Sequence, residues 1–301
     1  MLVINVRKYG YLIGLITIFL VSIPILNWIN NDQPTDKTRP ATPAETVLKG
    51  EYLPWEEVNR LFPKFAYGAV IDFEKKEKFA VQRRGGTYHA DVQPLTARDT
   101  KIMKDIFDGK WTWKRRAVIV ELEDGRKIAA SMNGMPHGQG AIRGNKFNGH
   151  FCIHFRDSKT HIGNKVDTAH QLMVWKAAGI LKNKLEALGA RESLEVFFAA
   201  LDQGERGLVS RMLAGEGKLE LVEALDGIDN IKLVKVTETG SGQYKAEVRF
   251  SFDNSPAQYM KCLSIKMTKH NAEWKVPATS IKVLVSGERA APSREVIGWE
   301  E

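Results

Sequence analysis

The chain has 301 residues, of which 43% are hydrophobic and 27% are charged. This globular composition excludes a largely disordered chain, and the length exceeds one typical domain and fits two domains plus an anchor. The net charge of +8 suits an anionic partner, but the sequence has no nucleic-acid-binding motif and no basic stripe interleaved with aromatic residues. We therefore expect no nucleic-acid partner, and the anionic candidates are lipid head groups or acidic wall polymers.

The N-terminal part of the sequence predicts a membrane anchor. Tyr11–Ile29 is an uncharged run preceded by Arg7 and Lys8, and its length suits a helix that crosses the apolar core of a bilayer. Because positive residues stay on the cytoplasmic side, residues 1–10 are predicted to be cytoplasmic and the rest extracytoplasmic. A cleaved signal peptide is the alternative. Residues 30–49 are polar and rich in proline, which is typical of a linker.

Residues 50–190 mix strand and helix patterns. Alternating apolar residues and turn signals predict two hairpins, with strands at Tyr67–Phe73, Lys78–Gln82, Ala117–Leu122 and Lys127–Met132. Thr96–Phe107 is predicted to be a helix, because Thr96 and Asp99 have the spacing of a capping box. Asp167–Leu188 is predicted to be one longer helix with an acidic N-cap.

The remainder of the chain has helix patterns first and strand patterns afterwards. The predicted helices are Ser193–Leu201 and Gly207–Leu213, and the predicted strands are Ile231–Glu238, Gln243–Phe252, Tyr259–Thr268, Ala272–Val276 and Ile281–Val285. This order indicates an α+β unit over residues 191–286, followed by a charged tail at 287–301. Cys262 is predicted to be a core residue of its strand.

Histidine and cysteine are concentrated in the middle of the chain. Five of the seven histidines lie between His137 and His170, together with Cys152. If residues 149–155 (GHFCIHF) form a strand, His150, Cys152 and His154 share one face and the apolar residues share the other. A thiol between two imidazoles is the arrangement of a cysteine nucleophile, because a neighbouring imidazole can take the thiol proton or stabilise the thiolate. On this basis the pKa of Cys152 is expected to lie below the free value of ~8.5.

Two segments in this region resemble the signature of the L,D-transpeptidases of bacterial cell walls. His137-Gly138 corresponds to the first His-Gly pair of that family, and residues 149–154 (GHFCIH) correspond to its Ser-His-Gly-Cys-x-Arg segment. The resemblance implies a cysteine acyltransferase that acts on peptidoglycan stem peptides, with Cys152 as the nucleophile, His137 as the general base and His150 as a supporting residue. It also implies substrate binding by His154, Arg156 and Gly138, without a metal or another cofactor.

This chain departs from the family pattern at three positions. Gly149 replaces the serine, Phe151 replaces the glycine and His154 replaces the arginine. Phe151 is expected to crowd the oxyanion donors. Arg156 lies on the His150 face by alternation and is expected to supply the missing cation.

The same residues admit two other interpretations. His150, Cys152 and His154 alternate correctly for a zinc or copper site, which His137, His161 or His170 would complete. Alternatively, the histidines are satisfied polar groups around a packed sheet, and Cys152 is a small buried hydrophobe or the partner of Cys262 in a disulfide.

Two further polar or aromatic pairs have a structural and a functional interpretation. A surface turn is favoured for His89 and Asp91, and in the alternative Asp91 orients a catalytic histidine. Trp111 and Trp113 are expected to share one strand face, as core residues or as a platform for a sugar ring.

The C-terminal unit resembles the ketosteroid isomerase-like, cystatin-like family. The residues that carry this resemblance are SLEVFFAALDQGE from Ser193, GQYKAEVRFSF from Gly242 and AEWKVPATSIKVL from Ala272. The predicted fold class is α+β, with an N-terminal transmembrane helix, a mixed mostly-β L,D-transpeptidase-like domain at 50–190, and a curved antiparallel sheet packed on helices at 191–286.

The predicted function is a cell-envelope cysteine acyltransferase that is anchored through residues 11–29 and acts on stem peptides, with another anionic wall polymer as the alternative partner. The alternative functions are a non-catalytic envelope-binding protein with a degenerate site and a His/Cys metal-binding protein.

Overall fold

The computed structural model describes residues 48–160, 163–253 and 255–286, which belong to one compact unit. The predicted segments 1–10, 11–29 and 287–301, and the predicted linker up to residue 47, lie outside the described residues. Among the residues that are described, no helix is long and apolar enough to cross a membrane. The longest of these helices has 13 residues, whereas a membrane span needs about 20. This finding contradicts the predicted location as a single-pass membrane protein with extracytoplasmic domains.

Strands predominate in the first half of the described chain, and helices precede strands in the second half. The strands are β1 Tyr67–Asp72, β2 Lys78–Gly85, β3 Ala90–Pro94, β4 Arg115–Leu122, β5 Lys127–Asn133, β6 Phe151–His154, β7 Leu213–Ala214, β8 Ile228–Gly240, β9 Gln243–Phe252, β10 Gln258–Lys266, β11 Thr268–His270 and β12 Glu273–Pro277. The helices are α1 Trp55–Leu61, α2 Ala97–Ile106, α3 Thr168–Ala177, α4 Leu181–Ala187, α5 Ala190–Asp202, α6 Arg206–Met212, α7 Lys218–Leu225 and α8 Ala278–Ile281, and a short 3-10 turn follows at Lys282–Leu284.

The first six strands close into a barrel in the order β1-β2-β3-β6-β5-β4. Every pair in it is antiparallel, and β1 pairs with both β2 and β4. Closure leaves none of these strands as an open sheet edge. Alternate side chains of all six strands fill the interior, among them Val70, Phe79, Val92, Val120, Met132 and Phe151.

The outer face of the barrel is also apolar over part of its surface. Ile71, Ala117, Ile119 and Ala129 join a second buried cluster that includes residues of α3, α5 and strands β8 to β10. The apolar core is therefore continuous across the predicted domain boundary at residue 190. The separate domains at 50–190 and 191–286 stay a prediction.

The rest of the chain forms two small sheets and most of the helices. One sheet has the order β10-β9-β8 and is antiparallel, and the other has the order β11-β12-β7, with β7 parallel to β12. Helix α5 packs against α3 and β8, and this contact places the helical layer between the barrel and the antiparallel sheet.

The predicted fold class is wrong in the combination of parts that it names. The described residues form a mixed α+β structure with a closed six-stranded barrel and two three-stranded sheets, in place of a transmembrane helix, a mixed mostly-β domain and a single curved sheet. The physical reason is that β3 and β6, both short and polar on one face, complete the barrel between the two predicted hairpins.

Several local predictions can be compared directly with the elements. The Thr96–Asp99 capping box at the start of α2 is confirmed. The predicted helix Asp167–Leu188 is two helices, because Gly179 adopts a left-handed conformation (φ 69°) after α3. The predicted strand Ile281–Val285 is wrong, since this segment holds the end of α8 and the 3-10 turn. The prediction of a buried Cys262 is also wrong, because this residue is exposed, and no disulfide joins it to Cys152.

Candidate active site

The site is assembled on β6, the strand that carries Cys152 and His154. Phe151 and Ile153 point into the barrel, whereas Cys152 and His154 point to its outside. This confirms the predicted separation of an apolar and a polar face. In the strand pairing, Cys152 lies opposite Asp91 of β3, and His154 lies opposite Ser131 of β5, so both neighbouring strands add polar residues to the same outer face.

His137 and His150 form an isolated antiparallel bridge just before β6. The amide of His137 donates to the carbonyl of His150 over 2.9 Å, and the reverse hydrogen bond measures 2.8 Å. Gly138 and Gly149 permit this close approach. A Cβ on Gly138 would lie 2.4 Å from the His150 ring, a Cβ on Gly149 would lie 2.3 Å from the His137 carbonyl, and both glycines have positive φ.

The bridge places the His137 ring against the thiol. His137 Nε2 lies 3.1 Å from Cys152 Sγ, and His137 Nδ1 lies 2.9 Å from the Met135 carbonyl oxygen. A carbonyl only accepts hydrogen bonds, so Nδ1 carries a proton and the lone pair of a neutral ring is on Nε2, facing the thiol. The residues that were predicted to be nucleophile and base are therefore within hydrogen-bond distance of one another.

Asp91 adds a negative charge to this group. Its Oδ1 lies 3.8 Å from Cys152 Sγ, 3.1 Å from His89 Nε2 and 3.8 Å from His150 Nε2. Burial raises the pKa of the Cys152 thiol well above its usual value, and the Asp91 carboxylate raises it further. The expectation of a lowered Cys152 pKa is therefore wrong, because the loss of solvent and the adjacent carboxylate both disfavour a thiolate.

Three imidazoles are stacked behind the thiol. The ring of His154 lies 4.5 Å from that of His89 and 3.7 Å from that of His170, nearly parallel to both. His89 Nδ1 lies 2.7 Å from the Lys159 carbonyl oxygen, and His170 Nδ1 lies 2.8 Å from Ser131 Oγ. Burial lowers the pKa of both His154 and His170 well below the usual value for histidine, which keeps these rings neutral.

The favoured interpretation of His89 as a surface residue is wrong. Its side chain is only 1% exposed, and it lies beside Asp91 within the cluster. The sequence carried one signal for this placement, because Asp91 and His89 alternate with the apolar residues Ala90 and Val92 as they would in a half-buried strand. Ser131 contacts the His170 ring and Lys159 contacts the His89 ring, but no sequence pattern indicated either contact.

The predicted substrate-binding residues are dispersed. Gly138 lies against the His150 ring, but His154 is buried between two other imidazoles. Arg156 contacts the Tyr52 ring and forms an ion pair with Asp157. Phe151 points into the barrel, where its ring packs against that of Phe79. His161, a predicted metal ligand, lies outside the described residues.

The two tryptophans have different environments. Trp111 packs edge-on against Phe147, a core residue, with 5.5 Å between the ring centres. Trp113 is 38% exposed, and its ring centre lies 5.0 Å from that of His137. Trp113 therefore forms part of the solvent-facing wall beside the thiol–imidazole pair, whereas Cys152 itself is only 3% exposed.

The arrangement can perform two kinds of chemistry. Cys152 and His137 form a thiol–imidazole pair of the kind that makes a covalent intermediate. The donor atoms of His89, Cys152 and His154, and those of His137, His150 and Cys152, also lie close enough to hold a metal ion. No family of known proteins, no curated protein and no solved structure matches this chain.

Proposed function

We propose that this chain is a cysteine acyltransferase of the L,D-transpeptidase type that acts on peptidoglycan stem peptides, with Cys152 as the nucleophile and His137 as the general base. The observation that carries the proposal is the 3.1 Å contact between Cys152 Sγ and His137 Nε2, with His137 Nδ1 held by the Met135 carbonyl. The resemblance of the His137-Gly138 and GHFCIH segments to that enzyme family supports the choice of substrate.

The raised pKa of Cys152 determines how the attack proceeds. A buried thiol beside a carboxylate is neutral at pH 7, so the proton is removed during the attack and not beforehand. As Sγ bonds to the carbonyl carbon of the donor peptide, the thiol proton passes to His137 Nε2. The resulting imidazolium then gives this proton to the departing amine, and the acyl group remains on Cys152 as a thioester.

The second half of the reaction uses the same residues in reverse. An amine of a second peptide, or water, attacks the thioester carbonyl while His137 removes a proton from it, and Cys152 leaves as a thiol. The product is a cross-link when an amine attacks and a trimmed peptide when water attacks. His137 and His150 are both partly exposed and Trp113 is exposed, so this side of the pair is where a peptide would reach the sulfur.

The experiment is to incubate the full chain, freed of metal by a chelator, with a stem peptide and to measure the intact mass. We expect a covalent adduct that is lost by treatment with hydroxylamine, as a thioester is. Cys152→Ser should abolish it, and Cys262→Ser should leave it unchanged because Cys262 is exposed and remote in sequence from the site. His137→Ala should slow adduct formation by about 10²- to 10⁴-fold, the usual contribution of a general base.

The proposal fails if the folded, metal-free protein forms no adduct, or if the adduct persists in Cys152→Ser. An adduct that forms at an unchanged rate in His137→Ala would leave Cys152 as the nucleophile but remove His137 as its base. Circular dichroism of each variant establishes that the comparison is between folded proteins.

A further inference from the structure

His89 is oriented as metal-binding histidines are. Its Nδ1 lies 2.7 Å from the Lys159 carbonyl oxygen and therefore carries a proton. Its Nε2 lies 3.1 Å from Asp91 Oδ1, so both ring nitrogens face acceptor oxygens. Nε2, on the side of the ring that faces Asp91, is therefore the nitrogen whose lone pair a cation could bind. A histidine whose other nitrogen donates to a carbonyl is the usual arrangement of a metal ligand.

The thiol and a second imidazole complete a set of donors at the same place. One donor atom from each of His89, Cys152 and His154 lies within 4.8 Å of the other two. All three side chains are buried, and Nδ1 of His154 is a buried polar atom that has no hydrogen-bond partner among the described residues. An unpartnered buried nitrogen is costly unless something else in the site satisfies it.

We propose that His89, Cys152 and His154 form a binding site for a divalent cation with the preferences of zinc. Two imidazole nitrogens and one thiolate are a typical zinc donor set, and Asp91, whose Oδ1 lies 3.1 Å from His89 Nε2, can supply the fourth ligand. Binding releases the thiol proton, because the ligand is the thiolate: Cys152–SH and the cation give a sulfur–metal bond and one proton.

The consequence for catalysis rests on the proposed function. Cys152 belongs to both arrangements, so a sulfur that binds the cation cannot attack a carbonyl. Of these two proposed arrangements, the catalytic pair uses His137, and the metal set uses His89 and His154. The cation therefore acts as a reversible inhibitor of the acyltransferase, and removing it restores the nucleophile.

The test is a titration of the full, chelator-treated chain with Zn²⁺ by equilibrium dialysis. We expect one bound ion per chain. Cys152→Ser, His89→Gln and His154→Gln should each weaken binding by about 100-fold or more, since loss of a ligand exceeds the effect of losing an outer-shell partner. Cys262→Ser is the matched control and should bind zinc as the unchanged chain does, whereas His137→Ala removes a contact to Cys152 Sγ and should weaken binding by no more than the roughly 10- to 100-fold of an outer-shell partner. Co²⁺ in place of Zn²⁺ should show the absorption of a thiolate–cobalt bond, and this band should be absent in Cys152→Ser.

Several outcomes would overturn the proposal. The first is the absence of zinc binding to the folded chain, and the second is zinc binding that persists in Cys152→Ser. The third is loss of zinc binding in His137→Ala, which would place the ion in the His137–His150–Cys152 group. Cys152→Ser changes one atom, so it keeps the test valid even where a histidine variant does not fold. The two proposals fail separately, because acylation is measured without metal and depends on His137, whereas zinc binding depends on His89 and His154.

Discussion

His137 Nε2 and Cys152 Sγ lie 3.1 Å apart, although the two residues are 15 positions apart in the chain. The reciprocal backbone hydrogen bonds between His137 and His150 fix this contact, because they hold the loop that carries His137 beside the start of β6. His137, the proposed base, is thus positioned by main-chain hydrogen bonds and by the close approach that Gly138 and Gly149 permit.

Asp91→Asn should lower the pKa of Cys152. The carboxylate lies 3.8 Å from the sulfur and disfavours the thiolate, so replacing it with a neutral amide should move the midpoint of Cys152 alkylation to lower pH. The measurement is the alkylation rate across pH in metal-free protein. Asp105→Asn is the control, because Asp105 is exposed and pairs with Lys101. A midpoint that stays in place or rises would contradict this account of the site.

Gly138→Ala should disrupt the contact between His137 and Cys152. The added Cβ would lie 2.4 Å from the His150 ring, so the bridge that positions His137 must move. Gly144→Ala is a matched control because Gly144 also has a positive φ but its added Cβ would meet nothing within 4 Å. We expect both variants to lose roughly 1 kcal/mol through backbone strain and only Gly138→Ala to lose most of its acylation rate. Equal rates in the two variants would show that the close approach is unimportant.

The buried imidazoles should make the protein sensitive to acid. Burial lowers the pKa of His154 and His170 in the folded state, whereas the unfolded chain has the ordinary value of ~6.5. Their contribution to stability is therefore fully present above pH ~6.5 and is lost as pH falls, by up to about 1.4 kcal/mol per pH unit for each histidine.

Urea unfolding between pH 7 and pH 5 measures this slope. His170→Asn should reduce this slope by about the contribution of one histidine. His270→Ala should leave the slope unchanged because His270 is exposed on β11. A stability that is independent of pH in this range would mean that the stacked rings are already charged or accessible.

The sequence predicted those parts of the fold that are determined by nearby residues. The hairpin of β4 and β5, the capping box of Thr96 and the two faces of β6 are local patterns, and the structure has all of them. Closure of the barrel is different, because it depends on β3 pairing with β6, which lies beyond α2, β4 and β5 in the chain. No periodicity within β3 or β6 specifies which strand lies beside it.

The candidate site likewise has residues that could be predicted from the sequence and residues that could not. Cys152, His137 and His150 could be selected because a recognisable pair of segments carries them. His89 and Asp91 reach the cluster only through strand pairing, since Asp91 lies opposite Cys152, and the burial that raises the Cys152 pKa is a property of the packed molecule. The residue types of the motif alone therefore predicted a shift of the Cys152 pKa in the wrong direction.

The most direct test of the account is the rate at which Cys152 is alkylated at pH 7 in chelator-treated protein, measured with and without His137→Ala. Cys262, which is exposed, reports the intrinsic reagent rate in the same sample. Because His137 Nε2 faces the thiol and can accept its proton, we predict that Cys152 reacts despite its burial and that His137→Ala slows this reaction by about 10²-fold or more without changing Cys262. A Cys152 that is inert in the folded unchanged protein, or that reacts equally fast in His137→Ala, would contradict the assignment of His137 and Cys152 as a catalytic pair.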